Sequence, residues 1–214
     1  DGHIVAGEGA ERHRVALKDV AITHGGRIGF QVENAMAAVA AAWGLGLDWD
    51  VIRRGLASFH TDIGNAPGRF NLLHHRGATV IADYGHNPDA IQALVQAVDN
   101  MPAKKRMVVI SGAGDRRDQD IRDQTKILGQ AFDDVLLYQD ACQRGREDGE
   151  VIALLREGLQ GAARTTYVQD IQGEFNAIDT ALSRLSAGDL CLILIDQVEE
   201  ALAYITEKVK ASGA

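Results

Sequence analysis

After Gly68 the sequence alternates between short, continuously apolar runs and longer stretches with helical periodicity. That alternation is the strongest constraint on the fold, because it demands parallel strands joined by crossover helices. Strands are expected over 70–74, 79–82, 106–110, 135–138, 165–168 and 190–195. Helices are expected over 88–100, 118–131, 149–159, 173–185 and 198–210. The runs Met107-Val-Val-Ile110 and Leu190-Cys-Leu-Ile-Leu-Ile195 have no polar alternation, as in strands covered on both faces. The first two strands meet across Arg76-Gly77, which predicts a hairpin and an antiparallel edge. The expected class is α/β, a Rossmann-like, mostly parallel sheet with flanking helices. The roughly 147 residues from 68 to 214 suffice for one such core.

The first sixty residues read differently. Short strand-like pieces at 4–6, 15–17 and 21–23 precede an Ala-rich helix over 32–43, which Gly44 and Gly46 terminate. Asp48 or Asp50 is placed to cap a second helix over 51–59. The turn-forming stretch Thr61-Asp-Ile-Gly-Asn-Ala-Pro-Gly68 reads as a connection. The expected division is a partial α/β segment over 1–62, a linker over 63–67 and a complete domain over 68–214. The chain begins at Asp1, and we expect it to be part of something longer.

Composition closes several routes. Hydrophobic residues make up 46% and charged residues 24%, too apolar for a disordered chain. A net charge of −8 argues against nucleic acid or an anionic membrane as partner. No apolar run approaches a membrane span. The two cysteines, Cys142 and Cys191, make neither a disulfide framework nor a zinc site, and fit reduced thiols in a cytoplasmic protein. His74 and His75 are successive strand positions and face opposite ways, and the other histidines lack ligand spacing, so no protein-held metal is expected. No phosphate loop of the G-x-x-x-x-G-K-[ST] form is present.

In open α/β sheets, ligands bind beyond the carboxyl ends of the strands, and three polar loops fall there. The first is Asp83-Tyr-Gly-His-Asn-Pro88. Asn87 can cap the next helix with Pro88 in its first turn, leaving a helix N terminus able to face phosphate. Asp83, at a strand end and so expected to be more exposed than a core residue, is placed to accept from ribose hydroxyls, and His86 to stack on or bond a nucleotide. The second, Ser111-Gly-Ala-Gly-Asp-Arg-Arg-Asp118, contains Gly-x-Gly without the third glycine of a dinucleotide fingerprint. Its Asp115 and Arg116 suit recognition of a charged substrate. The third carries Asp140, Arg144, Arg146 and Glu150. Arginine there can take a carboxylate or phosphate in bidentate fashion, while the acids can take an amino or guanidinium group. Each loop can also be read as a merely solvated turn.

Pro67-Gly-Arg-Phe70 followed by Asp83-Tyr-Gly-His-Asn-Pro-Asp89 resembles the start of the C-terminal domain of the Mur ligase superfamily. Gln31-Val-Glu-Asn-Ala-Met-Ala-Ala38 resembles a helix late in its central, ATP-binding domain. Gly114-Asp-Arg-Arg-Asp118, the 140–150 loop and the Gly25-Gly26 and Trp43-Gly-Leu-Gly46 stretches resemble the branch that adds arginine to the side chains of a polyaspartate backbone. The resemblance implies an ATP-dependent amide-bond ligase, in which ATP with Mg²⁺ phosphorylates a carboxylate and an amine then attacks the acyl phosphate. It implies that Asn34 lies against adenine, that Arg69 reaches the ATP phosphates, and that Asp83 and His86 approach ribose and phosphate, with Asn87 beside them. It implies that the loops carrying Asp115, Arg116, Asp140, Arg144, Arg146 and Glu150 read arginine. The superfamily's phosphate loop, magnesium ligands and modified lysine lie upstream of the residues given, so no complete catalytic set is expected here, and this chain alone is expected to be inactive. Mg²⁺ would be held mainly by residues outside it. A homo-oligomeric full-length enzyme is compatible with this reading. Two other readings stay open: another Mur-type ligase, of folylpolyglutamate or murein-peptide type, and a non-catalytic α/β binding module.

Overall fold

The computed structural model describes residues 2–140 and 142–211. It divides into two compact units, Asp1–Thr61 with Gln96–Met101, and Asp62–Val95 with Pro102–Ala214.

In the first unit, β1 (His3–Glu8) and β2 (Glu11–Ala16) form an antiparallel hairpin. Two short 3₁₀ turns, Leu17–Asp19 and Ala21–Thr23, lead to α1 (Gly29–Gly44) and α2 (Trp49–Ser58). The strand expected at 21–23 is therefore a turn. The buried Thr23 hydroxyl donates to the carbonyls of Leu17 and Val20, 2.9 Å each, and so closes the backbone on itself. Of the two capping candidates Asp48 is the cap, accepting the Asp50 N–H at 2.8 Å. Helix α1 buries Gln31, Ala35 and Val39, a stripe spaced by four residues. It stops where Gly46 takes φ +79. Ile4, Val15, Val20, Ala35, Val39 and Ile52 make a small core.

The second unit is a six-stranded sheet in the order β3-β4-β8-β5-β6-β7. The strands are β3 (Asn71–His75), β4 (Ala78–Asp83), β5 (Arg106–Ile110), β6 (Asp134–Gln139), β7 (Tyr167–Gln172) and β8 (Leu190–Leu194). Only the β3–β4 pair is antiparallel, and the rest pair in parallel, as the alternation predicts. The helices are α3 (Pro88–Asp99), α4 (Asp118–Leu128), α5 (Glu150–Gly158), α6 (Glu174–Arg184) and α7 (Val198–Ala211). One face of the sheet packs Val80, Val109, Leu136 and Ile193 against Ala177, Ile178 and Leu182 of α6 and Leu202 and Ile205 of α7. Ile81, Val108, Leu137 and Leu192 alternate with these and are equally buried. Ile91 and Leu94 of α3, Ile121 of α4 and Leu155 of α5 are buried as well. Each such side chain adds about 1.5–3 kcal/mol by leaving water.

Several boundaries differ from expectation by a few residues, and two of the shifts have a visible cause. Phe70 is not in β3; it sits at φ +53 with its N–H turned to the Asp83 carboxylate. The seventh strand begins at Tyr167 rather than 165, because Thr165 and Thr166 bond back to Gly129, Phe132 and Asp133. This edge strand is mostly polar, so its sequence carries little period to read.

The strand order creates the site. The chain runs outward from β4 through β5, β6 and β7, then returns to insert β8 between β4 and β5. Winding reverses there, and a crevice opens beyond the carboxyl ends. Among the described residues no helix is long and apolar enough to cross a membrane.

Candidate functional site at the carboxyl ends of the strands

Four loops meet at the crevice. The turn after β4 is locked to the segment that leads into β3. Tyr84 N–H donates to the Gly68 carbonyl at 2.9 Å, and Phe70 N–H donates to Asp83 Oδ2 at 2.8 Å. Gly68 N–H donates to Asn71 Oδ1 at 2.7 Å. Gly68 has φ +68, and a Cβ there would lie 2.9 Å from Val198 Cγ1, so only glycine fits. Asp83 is thus not the exposed strand-end carboxylate that its position suggested: it is 7% exposed. Burial pushes its pKa up to about 6, against the opposing pull of the Phe70 N–H, the Arg69 charge and the Gly85 N–H. Arg69 itself is exposed.

His86 stands behind the turn. Its ring lies 3.7 Å from that of Tyr84, tilted by 44°. Buried Gln124 of α4 holds the His86 carbonyl at 3.0 Å. Asp196 Oδ1 is 3.5 Å from His86 Nε2, at the limit of contact, and this buried nitrogen has no well-formed hydrogen bond. Burial lowers the His86 pKa; the Gly85 backbone and Asp196 pull it up, and Arg144 pushes it down. Asn87 caps α3 through the Ala90 N–H at 2.8 Å.

The loops after β5 and β6 are joined. A Cβ on Gly114 would fall 2.1 Å from the Gln143 carbonyl oxygen, and one on Gly112 would fall 2.7 Å from Val151 Cγ1. The Gly-x-Gly pair therefore serves close packing of loop on loop and loop on helix. Arg146 is the staple. It donates to Gly114 O at 2.7 Å, Arg116 O at 2.8 Å, Asp118 Oδ1 at 2.7 Å and Glu150 Oε1 at 2.5 Å. Its hydrogen bond holds the Asp118 carboxyl below the usual range. Arg146 and Glu150 are occupied in bracing the loops and do not line the crevice; Arg116 is exposed and offers its carbonyl to Arg146.

Arg144 does line it. Its backbone sits at φ +50, uncommon for a residue with a side chain. Its guanidinium is 3.3 Å from Asp196 Oδ1 and 3.5 Å from Asp115 Oδ1. Asp140, Tyr138, Ser111 and Gly112 complete the wall. The space left is about 20 Å³, enough for a water molecule.

The structure thus brings His86, Asp140 and Arg144 to one crevice, with Asp115 reaching it through Arg144. Asn34 belongs to the first unit, where it is exposed and donates to Gln31 Oε1 at 3.1 Å. Sequence reasoning missed Asp196, although it directly follows an apolar run read as a strand. The rule that singled out the other three loops points to it as well. It also missed Gln124 and Glu174, whose roles depend on loops distant in sequence.

Residues 68–194 match the family model described as Mur ligase, glutamate ligase domain. The chain belongs to the Mur ligase family. It is 33% identical over 206 residues to cyanophycin synthetase of Geminocystis herdmanii, covering 96% of this chain and 24% of that protein. It is 28% identical over 165 residues to the UDP-N-acetylmuramoyl-L-alanyl-D-glutamate--2,6-diaminopimelate ligase of Aquifex aeolicus, covering 77% of this chain and 32% of that one. The chain therefore spans about a quarter of the cyanophycin synthetases it matches. The Mur ligase fold is equally visible in solved structures. A pseudomurein peptide ligase type C from Methanothermus fervidus aligns with a TM-score of 0.64 at 22% identity, over 97% of this chain and 40% of that one. Folylpolyglutamate synthase of Mycobacterium tuberculosis, complexed with ADP, gives 0.65 at 23%, over 82% and 40%.

The residues present fit a nucleotide's phosphate end better than a metal. The buried His86 Nε2, which has only the long contact to Asp196, and the N terminus of α3 suit an anionic, hydrogen-bonding group. Among the described residues no group of three or more His, Cys, Asp or Glu side chains could hold a metal ion.

Proposed function

We propose that this chain is the C-terminal part of an ATP-dependent ligase that joins arginine to side-chain carboxylates of a polyaspartate-type acceptor. The observation that carries the reading is the charge pattern of the crevice. Asp140 and Asp196 line it, Asp115 borders it, and a single arginine, Arg144, already lies against two of these carboxylates. A guanidinium-bearing substrate matches acids placed this way, and Arg144 offers a partner for its carboxylate. Similarity to cyanophycin synthetases across nearly the whole chain supports the same branch.

Bound ATP supplies the phosphoryl group that activates the acceptor carboxylate. In this reading Arg69 and the Tyr84–Asn87 turn approach the nucleotide. Asp140 and Asp196 orient the incoming amino acid. A ligand larger than water requires Arg144 to swing out of the crevice. Arg146 and Glu150 act indirectly, by keeping the two loops together.

Thermal melting of the chain in the presence of L-arginine, L-lysine, L-glutamate or diaminopimelate tests the reading. Arginine should raise Tm, and Asp196→Asn should abolish the rise. Stabilisation by glutamate or diaminopimelate instead would favour a folylpolyglutamate- or murein-type ligase. Indifference to all four and to ATP would favour a non-catalytic module.

A further inference from the structure

The β8–α7 turn is held from beneath by a buried acid. Glu174, the first residue of α6, is 2% exposed. Its Oε1 accepts the Asp196 N–H at 2.8 Å, and its Oε2 accepts the Gln197 N–H at 3.2 Å and Gln197 Nε2 at 3.4 Å. Tyr138 Oη–H donates to the Leu194 carbonyl just before, at 3.2 Å. Two side chains from neighbouring elements thus fix three backbone groups of this one turn.

This arrangement is costly. Burying a carboxylate carries a penalty of several kcal/mol unless hydrogen bonds offset it. Asp196 and Asp140 add repulsion, and burial with these like charges raises the Glu174 pKa. A neutral or apolar residue would serve packing at lower cost. What the acid provides is two oxygens that receive adjacent backbone N–H groups, which fixes the direction in which Asp196 leaves the chain. That side chain then meets Arg144 at 3.3 Å and His86 at 3.5 Å.

We propose that Glu174 is a positioning residue, which sets the backbone of Asp196 and Gln197 so that the Asp196 carboxylate stands between His86 and Arg144. The proposal deepens the crevice reading above, but its test needs no substrate and so stands or falls separately.

The test is NMR titration of the His86 imidazole in the whole chain, in which Asp196 raises and Arg144 lowers the His86 pKa. Asp196→Asn should lower that pKa, because the carboxylate that favours the charged ring is gone. Glu174→Gln should lower it in the same direction, because the carboxylate is no longer aimed at the ring. In the Asp196→Asn background, Glu174→Gln should add nothing further. An additive fall in the double variant would mean that Glu174 acts only by its own charge, and would overturn the proposal. So would an unchanged His86 in Glu174→Gln. Should that variant fail to fold, Glu174→Asp retains the charge on a shorter stem; it should still lower the His86 pKa, and an unchanged titration would overturn the proposal in the same way.

Discussion

The two ends of the sheet carry similar side chains and use them differently. At the amino end, Arg164 grips Asp133 with two bonds of 3.0 Å, and the Arg106 N–H reaches the same carboxylate at 2.7 Å. Beside it, Lys105 and Arg184 meet buried Asp134 at 2.8 and 3.1 Å. At the carboxyl end, Arg144 touches Asp115 and Asp196 at 3.5 and 3.3 Å, and His86 Nε2 stays without a good bond. Short, convergent bonds tie strands together in the first network, although the buried Asp134 Oδ1 has no hydrogen bond there. The looser second network leaves bonding capacity unspent, in a crevice where loops rather than strands set the spacing. Arginine thus braces the amino end and, through Arg146, the joined loops of the carboxyl end, while the longer Arg144 contacts leave the crevice itself receptive.

That contrast can be broken by substitution. Asp134→Ala removes a buried carboxylate that Lys105 and Arg184 both meet and should cost about 2–3 kcal/mol in denaturant unfolding, since the cations left behind are partly exposed and can be solvated. A loss below 1 kcal/mol would show that the amino end is no brace. Asp83 comes next, as one of the buried acids of the carboxyl end. Its folded pKa of about 6 exceeds its unfolded value of 3.8, so the folded state binds the proton more tightly, and stability falls as pH rises from 3.8 through 6. Asp83→Asn keeps an acceptor for the Phe70 N–H and should gain up to about 3 kcal/mol at pH 8, with a flatter pH profile. A variant less stable than the parent at pH 8 would contradict the buried, costly charge.

Gly114→Ala should cost about 1–3 kcal/mol, since its methyl meets backbone and not a movable side chain. Protease cleavage should then appear first at the 111–117 and 140–149 loops; a neutral variant would show that these loops are not rigidly joined. The smallest effect on stability belongs to Arg144→Ala, at most about 1 kcal/mol, because the pair is half-exposed. Its arginine-dependent Tm shift should nevertheless vanish. A large loss of stability with the shift retained would make Arg144 a brace like Arg164.

Much of this was legible along the chain. The continuous apolar runs at Met107 and Leu190 announced buried parallel strands, and Asn87-Pro88 announced the start of α3, because both signals are local. Asp140, Arg144 and His86 were found by placing polar residues at strand ends. The polar edge strand β7 was misplaced by two residues, since its weak period gave little to read. Ala21–Thr23 looked extended, but the Thr23 hydroxyl curled it into a turn. The Arg146 staple was read as a substrate contact, because an arginine between glycines in a loop looks the same whether it faces a ligand or a neighbouring carbonyl.

From composition and order alone, the chain was bound to make a mostly parallel sheet with polar loops at its carboxyl edge, because strand and helix periods are written residue by residue. Only the tertiary structure decided that β8 lies between β4 and β5. That insertion carries Asp196 to His86 and Arg144 and sets Glu174 beneath it. It also buries Asp83, which by position alone looked exposed. These outcomes depend on contacts between segments far apart in sequence, whose energies exist only once the sheet has closed.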